Sequence, residues 1–334
     1  MNKVLIIAEA GVNHNGNIDL AFKLIDEACK AGADIIKFQT FKAENLVTKD
    51  AEMAKYQLEN TQKKESQFAM LKKLELQYED YINLKNYAEK KAIKFLSTGF
   101  DLESLEFLKT LKMGIWKIPS GEITNRPYLE FVGKLNEVVI LSSGMSTMEE
   151  VKAGIDVLCE SGTKKENIIV LHCTTDYPTK FKDVNLNAMK SIEKEMEVSI
   201  GYSDHTEGIE VAIAAVAMGA KVIEKHFTLD KNLPGPDHLA SLNPTELSLM
   251  IKSIRNIEQS LGNEVKKPSI VEIENIKIAR KSIVAKTRIN KGEVFSLENL
   301  TTKRPGTGLS PMMINSVYGQ KASRDFNEDE LVEL

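Results

Sequence analysis

Eight short runs rich in isoleucine, valine and leucine recur along the 334-residue chain, and segments with helical periodicity separate them. The runs span residues 4–8, 34–38, 95–98, 115–118, 138–142, 168–172, 198–201 and 221–225. Between them, apolar residues return every three or four positions, as in Leu20, Leu24, Ala28 and Ala31. Parallel strands that are buried on both faces read as continuous apolar runs. The pattern therefore predicts a parallel (β/α)8 barrel, with a doubly wound open sheet as the alternative.

Capping residues mark several of the predicted helix starts. Asp101 precedes one helical segment, and Asn243 with Glu246 precedes another. Ser146 and Glu149 have the spacing of a capping box, in which each side chain accepts a hydrogen bond from a backbone N–H of the first turn. We expect a helix to begin at each of these positions.

The chain divides into three predicted segments. Residues 1–265 form the barrel, 266–281 a charged linker with a helix, and 282–334 a small β-rich unit that is marginal as an independent fold. We expect that unit to dock against a barrel, its own or a partner's. Residues 51–79 are rich in lysine and glutamate and predict an inserted helix, either a lid over the barrel mouth or a solvated extra helix. Its polarity favours the solvated helix.

Composition excludes several classes of function. Lys and Arg number 44 against 48 Asp and Glu, so a net charge of -4 gives no field for nucleic acid or an anionic membrane surface. Three widely spaced cysteines favour neither a disulfide framework nor a zinc knuckle. The apolar run 211–220 is about half of the ~20 residues that cross a bilayer. These features indicate a protein of the reducing cytoplasm without a signal peptide.

Polar residues follow all eight apolar runs, at the end of the barrel where enzymes of this fold place catalytic groups. Lys37 and Lys117 predict a phosphate-binding site because two ammonium groups neutralise a dianion. Strand alternation directs Lys225 to the opposite face from His226, so we favour Lys37 over Lys225 as a site lysine. Four hydroxyl groups at neighbouring strand ends would add directional donors: Thr98, Ser120, Ser142 and Ser203.

Two of the five histidines, His205 and His226, end the last two predicted strands. Two neutral imidazoles leave coordination positions open on a divalent ion, which suits an exchangeable catalytic metal, although hydrogen-bonded histidines are an equal alternative. Glu9 and Glu122 place carboxylates at the same mouth, where partial burial would let them act as acid or base.

Eight motifs in register give the chain its resemblance to the sialic acid synthases, which condense phosphoenolpyruvate with an N-acylated mannose-type sugar. They are AEAGVNHNG (8–16), IKFQT (36–40), WKIPSGE (116–122), LSSGM (141–145), YSDHT (202–206), EKHFT (224–228), GPD (235–237) and KRPG (303–306). The last is similar to the signature of the family's C-terminal antifreeze-like (SAF) domain. The resemblance covers essentially the whole chain.

The resemblance implies a role for each matching position. Phosphoenolpyruvate would be bound by Lys37, Thr98, Lys117, Ser120, Ser142, Thr175 and Ser203. His205 and His226 would hold a divalent metal, manganese above magnesium or cobalt. The sugar and metal region would be lined by Gln39, Tyr177 and Asp237, with Glu9 and Glu122 contacting the sugar or activating water. Arg304 would reach the sugar's N-acyl group from the other subunit of a domain-swapped homodimer. Thr175 stands where the family commonly has Asn.

Phe38 occupies a position where N-acetylneuraminate synthases resemble each other in having His. This difference makes the chain more similar to the branch that forms legionaminic acid from 2,4-diacetamido-2,4,6-trideoxymannose. N-acetylneuraminate and pseudaminic acid synthesis are the second and third expectations. A Schiff-base aldolase acting through Lys37 or Lys117, and a non-enzymatic carbohydrate-binding protein, are the alternatives of other classes.

Overall fold

The computed structural model of this protein describes residues 3–61 and 65–334. The chain forms two compact units, Met1–Gly262 and Asn263–Leu334. The division falls three residues before the predicted end of the barrel at 265. Most of the predicted linker is helical and belongs to the second unit.

Eight parallel strands build the first unit. They are β1 (Leu5–Gly11), β2 (Ile35–Thr40), β3 (Lys94–Gly99), β4 (Ile115–Ile118), β5 (Val138–Ser142), β6 (Ile168–His172), β7 (Ser199–Asp204) and β8 (Val222–His226). The hydrogen-bonded order is β3-β2-β1-β8-β7-β6-β5-β4. This order follows the chain cyclically, with β1 paired to β8, and so gives a nearly closed barrel. The predicted (β/α)8 fold is confirmed, and the doubly wound sheet is wrong.

Helices follow the strands around the barrel. The first unit contains α1 (Ile18–Ala31), α2 (Ala43–Leu46), α3 (Lys55–Thr61), α4 (Gln67–Leu74), α5 (Tyr78–Lys90), α6 (Leu102–Thr110), α7 (Arg126–Gly133), α8 (Met148–Ser161), α9 (Asn187–Met196), α10 (Glu210–Ala217) and α11 (Pro244–Ser260). One large apolar core packs their inner faces against the outward side chains of the strands. Phe38 belongs to this outer core, as strand alternation predicts.

The inward strand positions form two layers. The lower layer is aliphatic and consists of Ile7, Ile35, Leu96, Ile140, Leu171 and Val222. Two residues further along the same strands, the inward positions are occupied by Glu9, Lys37, Thr98, Ser142, Cys173 and Glu224. Because residues two apart share a strand face, the interior of the barrel changes from aliphatic to polar between one inward layer and the next toward the barrel mouth.

Two of the predicted helix caps are confirmed and one is wrong. Asp101 caps α6, and Asn243 with Glu246 forms the capping box of α11. The capping box of α8 is formed by Thr147 and Glu150, one residue later than the predicted pair Ser146 and Glu149. Both pairs satisfy the same spacing, so only the backbone path distinguishes them.

The insertion after β2 is partly buried rather than a fully solvated helix. Its described residues form α3 and α4, and α4 buries Met70 and Leu74. These two side chains pack with Val12, Phe41 and Met53 in a separate buried cluster beside the barrel. The prediction of a solvated helix is therefore wrong for α4, because Met70 and Leu74 lie four residues apart on one face of that helix.

The second unit is built on two antiparallel strands, β9 (Ser282–Ala285) and β10 (Leu300–Lys303). The helices α12 (Ile270–Ala279) and α13 (Ile314–Val317) belong to the same unit. Its small core includes Ile283, Phe295 and Phe326. Within the described ranges, no helix of either unit has the length and apolarity that crossing a membrane requires.

Candidate active site

A cavity of about 170 Å³ lies at the C-terminal end of the barrel strands. Twelve of the predicted site residues line it together: Glu9, Lys37, Gln39, Thr98, Lys117, Ser120, Ser142, Thr175, Tyr177, Ser203, His205 and His226. They come from most of the strands and from the loops that follow them. The convergence arises because the carboxyl ends of all barrel strands meet at one face.

Two lysines and two glutamates occupy the centre of this cavity, and all four are buried. Lys37 Nζ lies 2.9 Å from Glu9 Oε2 and 3.4 Å from Glu224 Oε2, and it donates to Thr98 Oγ1 at 3.1 Å. Lys117 Nζ lies 3.7 Å from Glu224 Oε1. Glu224 is therefore the shared counter-ion of both lysines. Buried charges need such partners, since an unpaired ion is costly to desolvate.

Burial and mutual attraction set the ionisation of the four groups. Burial would raise the pKa of Glu224, but Lys117 and Lys37 together hold it below its ordinary value. Burial raises the pKa of Glu9, and the neighbouring Glu224 adds to the rise against the opposing effect of Lys37. Burial would lower the pKa of Lys37, but Glu224 and Glu9 raise it. Glu9 is thus the carboxyl group placed to exchange a proton near neutral pH.

Lys117 differs from Lys37 in its surroundings. Its Nζ donates to Ser142 Oγ at 2.7 Å and to the Ile118 carbonyl at 3.2 Å. Burial lowers the pKa of Lys117, and the attraction of Glu224 offsets this lowering only in part. An anionic ligand beside Lys117 would counteract this lowering, because a nearby opposite charge favours the ammonium form.

Hydroxyl groups and one glycine form a small cradle next to Lys117. Ser120 Oγ accepts from the Gly144 backbone N–H at 3.0 Å and lies 3.3 Å from Cys173 Sγ. Thr175 Oγ1 is buried with no protein partner. A Cβ on Gly144 would lie 2.3 Å from Thr175 Oγ1 and 2.8 Å from Ser120 Oγ. The cradle is therefore open only because residue 144 has no side chain.

The imidazoles of His205 and His226 face each other across the cavity, with ring centroids 5.7 Å apart. The ring of Tyr177 lies 4.1 Å from that of His205 and 5.6 Å from that of His226. Burial lowers the pKa of both histidines, so each ring is held in its neutral form. Neutral imidazole is the form that binds metal ions.

The hydrogen bonds of these rings fit a divalent cation. His205 Nδ1 donates to the Thr174 carbonyl at 2.6 Å, and Ser203 donates its hydroxyl to Glu224 at 2.9 Å, which leaves the His205 Nε2 lone pair available. His226 Nδ1 is buried without a hydrogen-bond partner. Among the described residues, no group of three or more His, Cys, Asp or Glu side chains is arranged to hold a metal. The two imidazoles would therefore give a bound ion several open positions.

The alternation along β8 is confirmed. Lys225 points away from the cavity and is fully buried in the outer layer, where its Nζ lies 2.7 Å from Asp204 Oδ2. It also donates to the Thr206 carbonyl at 2.7 Å, and Asp204 Oδ1 accepts from Thr206 in turn. This network ties the residues on either side of His205 to β8 and so fixes the separation of the two histidines.

Three predicted site residues lie elsewhere. Asp237 lines a second pocket that adjoins the first, and burial raises its pKa to about 6. Glu122 is half-buried on a short 3₁₀ turn after β4, where its carboxylate accepts from Asn125. Arg304 belongs to the second unit, where it is exposed and its Nε donates to the Ala279 carbonyl at 3.0 Å.

Glu224 and Cys173 are the titratable residues of the cavity lining to which the sequence alone assigns no role. In the sequence, Glu224 appears only as the first residue of the motif EKHFT (224–228). The signal was available, since an inward residue two positions before a predicted ligand must lie directly below it. No pattern in the sequence marks Cys173, whose thiol has its pKa raised by burial.

Comparison with known families agrees with this geometry. Residues 24–266 match the NeuB family, and residues 280–333 match the SAF domain. This chain belongs to the NeuB family. Members of the NeuB family include sialic and legionaminic acid synthases, and the chain is accordingly an enzyme that forms a carbon–carbon bond from phosphoenolpyruvate.

Individual relatives within the NeuB family cover nearly all of the chain. An N,N'-diacetyllegionaminic acid synthase of Campylobacter jejuni is 53% identical over 332 residues, 99% of each chain. A second protein of that name, from Legionella pneumophila, is 46% identical over 96% of this chain and 91% of its own. The crystal structure of an N-acetylneuraminic acid synthetase from Leptospira borgpetersenii has 35% identity and a TM-score of 0.72, covering 82% of this chain and 90% of its own.

Proposed function

We propose that this enzyme condenses phosphoenolpyruvate with 2,4-diacetamido-2,4,6-trideoxymannose to give N,N'-diacetyllegionaminic acid and phosphate. The observation that carries the proposal is the single cavity that joins two lysines to two facing imidazoles. The names of the Campylobacter jejuni and Legionella pneumophila relatives favour this acceptor over the acceptors of N-acetylneuraminate and pseudaminic acid synthesis.

The residues divide the work of binding the first substrate. Lys37 and Lys117 attract the phosphate and carboxylate of phosphoenolpyruvate, and Ser120, Ser142 and Thr175 supply hydroxyl donors in fixed directions. These groups are already in place before the substrate arrives, so they stabilise developing charge without reorganising. Thr98 and Ser203 hold Lys37 and Glu224 in position through the hydrogen bonds described above.

The chemistry then forms one carbon–carbon bond and breaks one carbon–oxygen bond. C3 of phosphoenolpyruvate attacks the aldehyde carbon of the open-chain sugar, which leaves an oxocarbenium-like centre at C2. Water adds at C2, and Glu9 accepts one of its protons, while the alkoxide formed at the former aldehyde oxygen takes up one proton. Collapse of this tetrahedral centre expels phosphate by C–O cleavage and leaves a nine-carbon 2-keto acid.

His205 and His226 would hold the divalent cation that we propose as cofactor, manganese in preference to magnesium or cobalt. When bound, the ion would act as a Lewis acid on the aldehyde oxygen of the acceptor. We expect EDTA to abolish turnover and added Mn²⁺ to restore it. H205A and H226A should each lose metal-dependent turnover, and near-normal rates in both variants would remove the metal from the proposal.

Two further features of the proposal concern assembly and location. On α12, Ile270, Val271 and Ile278 are 87%, 78% and 69% exposed, an apolar surface that supports a homodimer in which the second unit meets a partner's barrel. Arg304 would then reach the N-acyl group of the acceptor. The three free cysteines support a cytoplasmic location.

The test of the function is incubation of the purified protein with phosphoenolpyruvate and each candidate sugar, followed by mass analysis. The diacetamido acid and N-acetylneuraminate differ in mass, whereas the legionaminic and pseudaminic products are isomers and are distinguished by which sugar was supplied. The lowered pKa of Lys117 favours one second candidate, a Schiff-base aldolase. Borohydride with pyruvate would then trap a covalent adduct and EDTA would leave the activity unchanged, and both results together would refute the synthase.

A further inference from the structure

A second pocket of about 260 Å³ opens directly beside the cavity that contains the lysines. Gln39, Tyr177, His226 and Phe100 line both spaces. A molecule whose reacting end lies at His226 would therefore extend into the second pocket without crossing a protein wall. Asp237 is also on its lining.

The far wall of this pocket is apolar and comes from the segment between β2 and α5. Its side chains are Phe41, Leu46, Val47, Met70, Leu71 and Leu74. Phe41, Met70 and Leu74 are buried in the cluster beside the barrel, whereas Leu46, Val47 and Leu71 are only partly buried and line the pocket. The wall is thus a packed structure with two leucines exposed toward a ligand.

We propose that this apolar pocket receives the end of the acceptor sugar remote from its aldehyde and selects a 6-deoxy, 4-N-acylated sugar over a hydroxylated one. The inference rests on the proposed synthase activity. The methyl groups at C6 and on the 4-acyl substituent replace water against Leu46 and Leu71. A hydroxyl at C6 would lose its hydrogen bonds to water against the same leucines.

The polar part of the lining fits the same acceptor. The side chains of Gln57 and Gln67 line the pocket on the insertion side. Primary amides pair with the N–H and C=O of an acylamino group. Gln57 Oε1 already accepts from the Ala54 backbone N–H at 2.9 Å, so Gln57 offers its NH2 group to the acyl carbonyl. The pocket therefore combines apolar surface for methyl groups with amides for an acyl linkage, which is the chemistry of an N-acylated deoxy sugar.

The experiment compares two acceptors that differ by one oxygen: 2,4-diacetamido-2,4,6-trideoxymannose and its 6-hydroxy counterpart. We expect the wild-type kcat/KM to favour the 6-deoxy sugar by about tenfold to 100-fold, the range of selectivity that apolar pockets achieve for such pairs. L71Q should reduce this ratio to about twofold. L71M, which keeps the side chain apolar at the same position, should retain it.

L46Q gives an independent variant in a different helix and should act in the same direction. The KM for phosphoenolpyruvate should stay within about twofold of wild type in all three variants, which separates acceptor selection from general disturbance. An unchanged ratio in L71Q and L46Q, or no preference in the wild type, would overturn the pocket assignment. Failure of the proposed function itself looks different, because no N-acyl sugar would then yield a product with phosphoenolpyruvate.

Discussion

Replacing Gly144 by alanine tests whether the hydroxyl cradle binds the phosphate of phosphoenolpyruvate. The new Cβ would lie 2.3 Å from Thr175 Oγ1 and 2.8 Å from Ser120 Oγ, so both hydroxyls must turn away. The φ of Gly144 lies outside the left-handed region, so the effect comes from occupied space rather than backbone strain.

The size of the effect follows from the two displaced hydroxyls. A hydrogen bond to a charged group contributes about 1.5–3 kcal/mol, so losing two costs about 3–6 kcal/mol of binding. At about 1.4 kcal/mol per tenfold, G144A should weaken phosphoenolpyruvate binding by about 100-fold to 10,000-fold. Isothermal titration of phosphoenolpyruvate into the protein measures this directly, and circular dichroism verifies that the variant is folded.

Gly121 provides the matched control. It lines the same cavity, its φ is also unstrained, and a Cβ there would meet nothing within 4 Å. G121A should therefore bind phosphoenolpyruvate within about threefold of wild type, the scatter expected of a neutral change. Wild-type affinity in G144A, or an equal loss in G121A, would refute the assignment of the cradle.

Three further predictions concern buried charges. K225M leaves the buried Asp204 carboxylate without its ion-pair partner and should lower the free energy of unfolding of the barrel by about 3–5 kcal/mol, with partial recovery in D204N/K225M. Urea unfolding followed by the fluorescence of the single tryptophan, Trp116, measures this. A fully stable K225M would contradict the prediction. Burial lowers the pKa of His14 from 6.5 to about 4, so stability that is present above pH 6.5 should fall by about 3 kcal/mol on acidification toward pH 4. In H14Q, the free energy of unfolding from denaturation curves should depend less steeply on pH. An unchanged pH dependence would exclude His14 as its source. E9Q should reduce kcat about 100-fold or more with little change in the KM for phosphoenolpyruvate, and an unaltered kcat in phosphate-release assays would exclude Glu9 as the proton acceptor.

The barrel was predictable from the sequence because its strands are buried on both faces. Three of the predicted runs, 115–118, 138–142 and 168–172, coincide with β4, β5 and β6. The strands β1, β7 and β8 extend further, to Gly11, Asp204 and His226. An apolar run ends where the side chains become polar, whereas the backbone hydrogen bonds between strands continue through these polar residues. The ends of these strands, which carry the chemistry, were therefore underestimated.

The candidate site was predictable where strand alternation decides direction. The opposite orientations of Lys225 and His226 followed from the pleat alone. The shared counter-ion role of Glu224 did not, because it depends on the distance between β2, β4 and β8 in space. The proposed acceptor pocket was equally hidden, since its leucines come from two separate helices after β2, namely α2 and α4.

The aliphatic layer of the lower barrel has a consequence for how ionic strength affects the enzyme. Isoleucine, leucine and valine side chains close the space below Lys37 and Glu224, so bulk water and mobile ions approach these charges from the open end alone. A bound substrate closes this open end and excludes the mobile counter-ions that would otherwise screen its interaction with the buried charges. Added salt should therefore slow the arrival of the phosphorylated substrate and leave its rate of escape nearly unchanged.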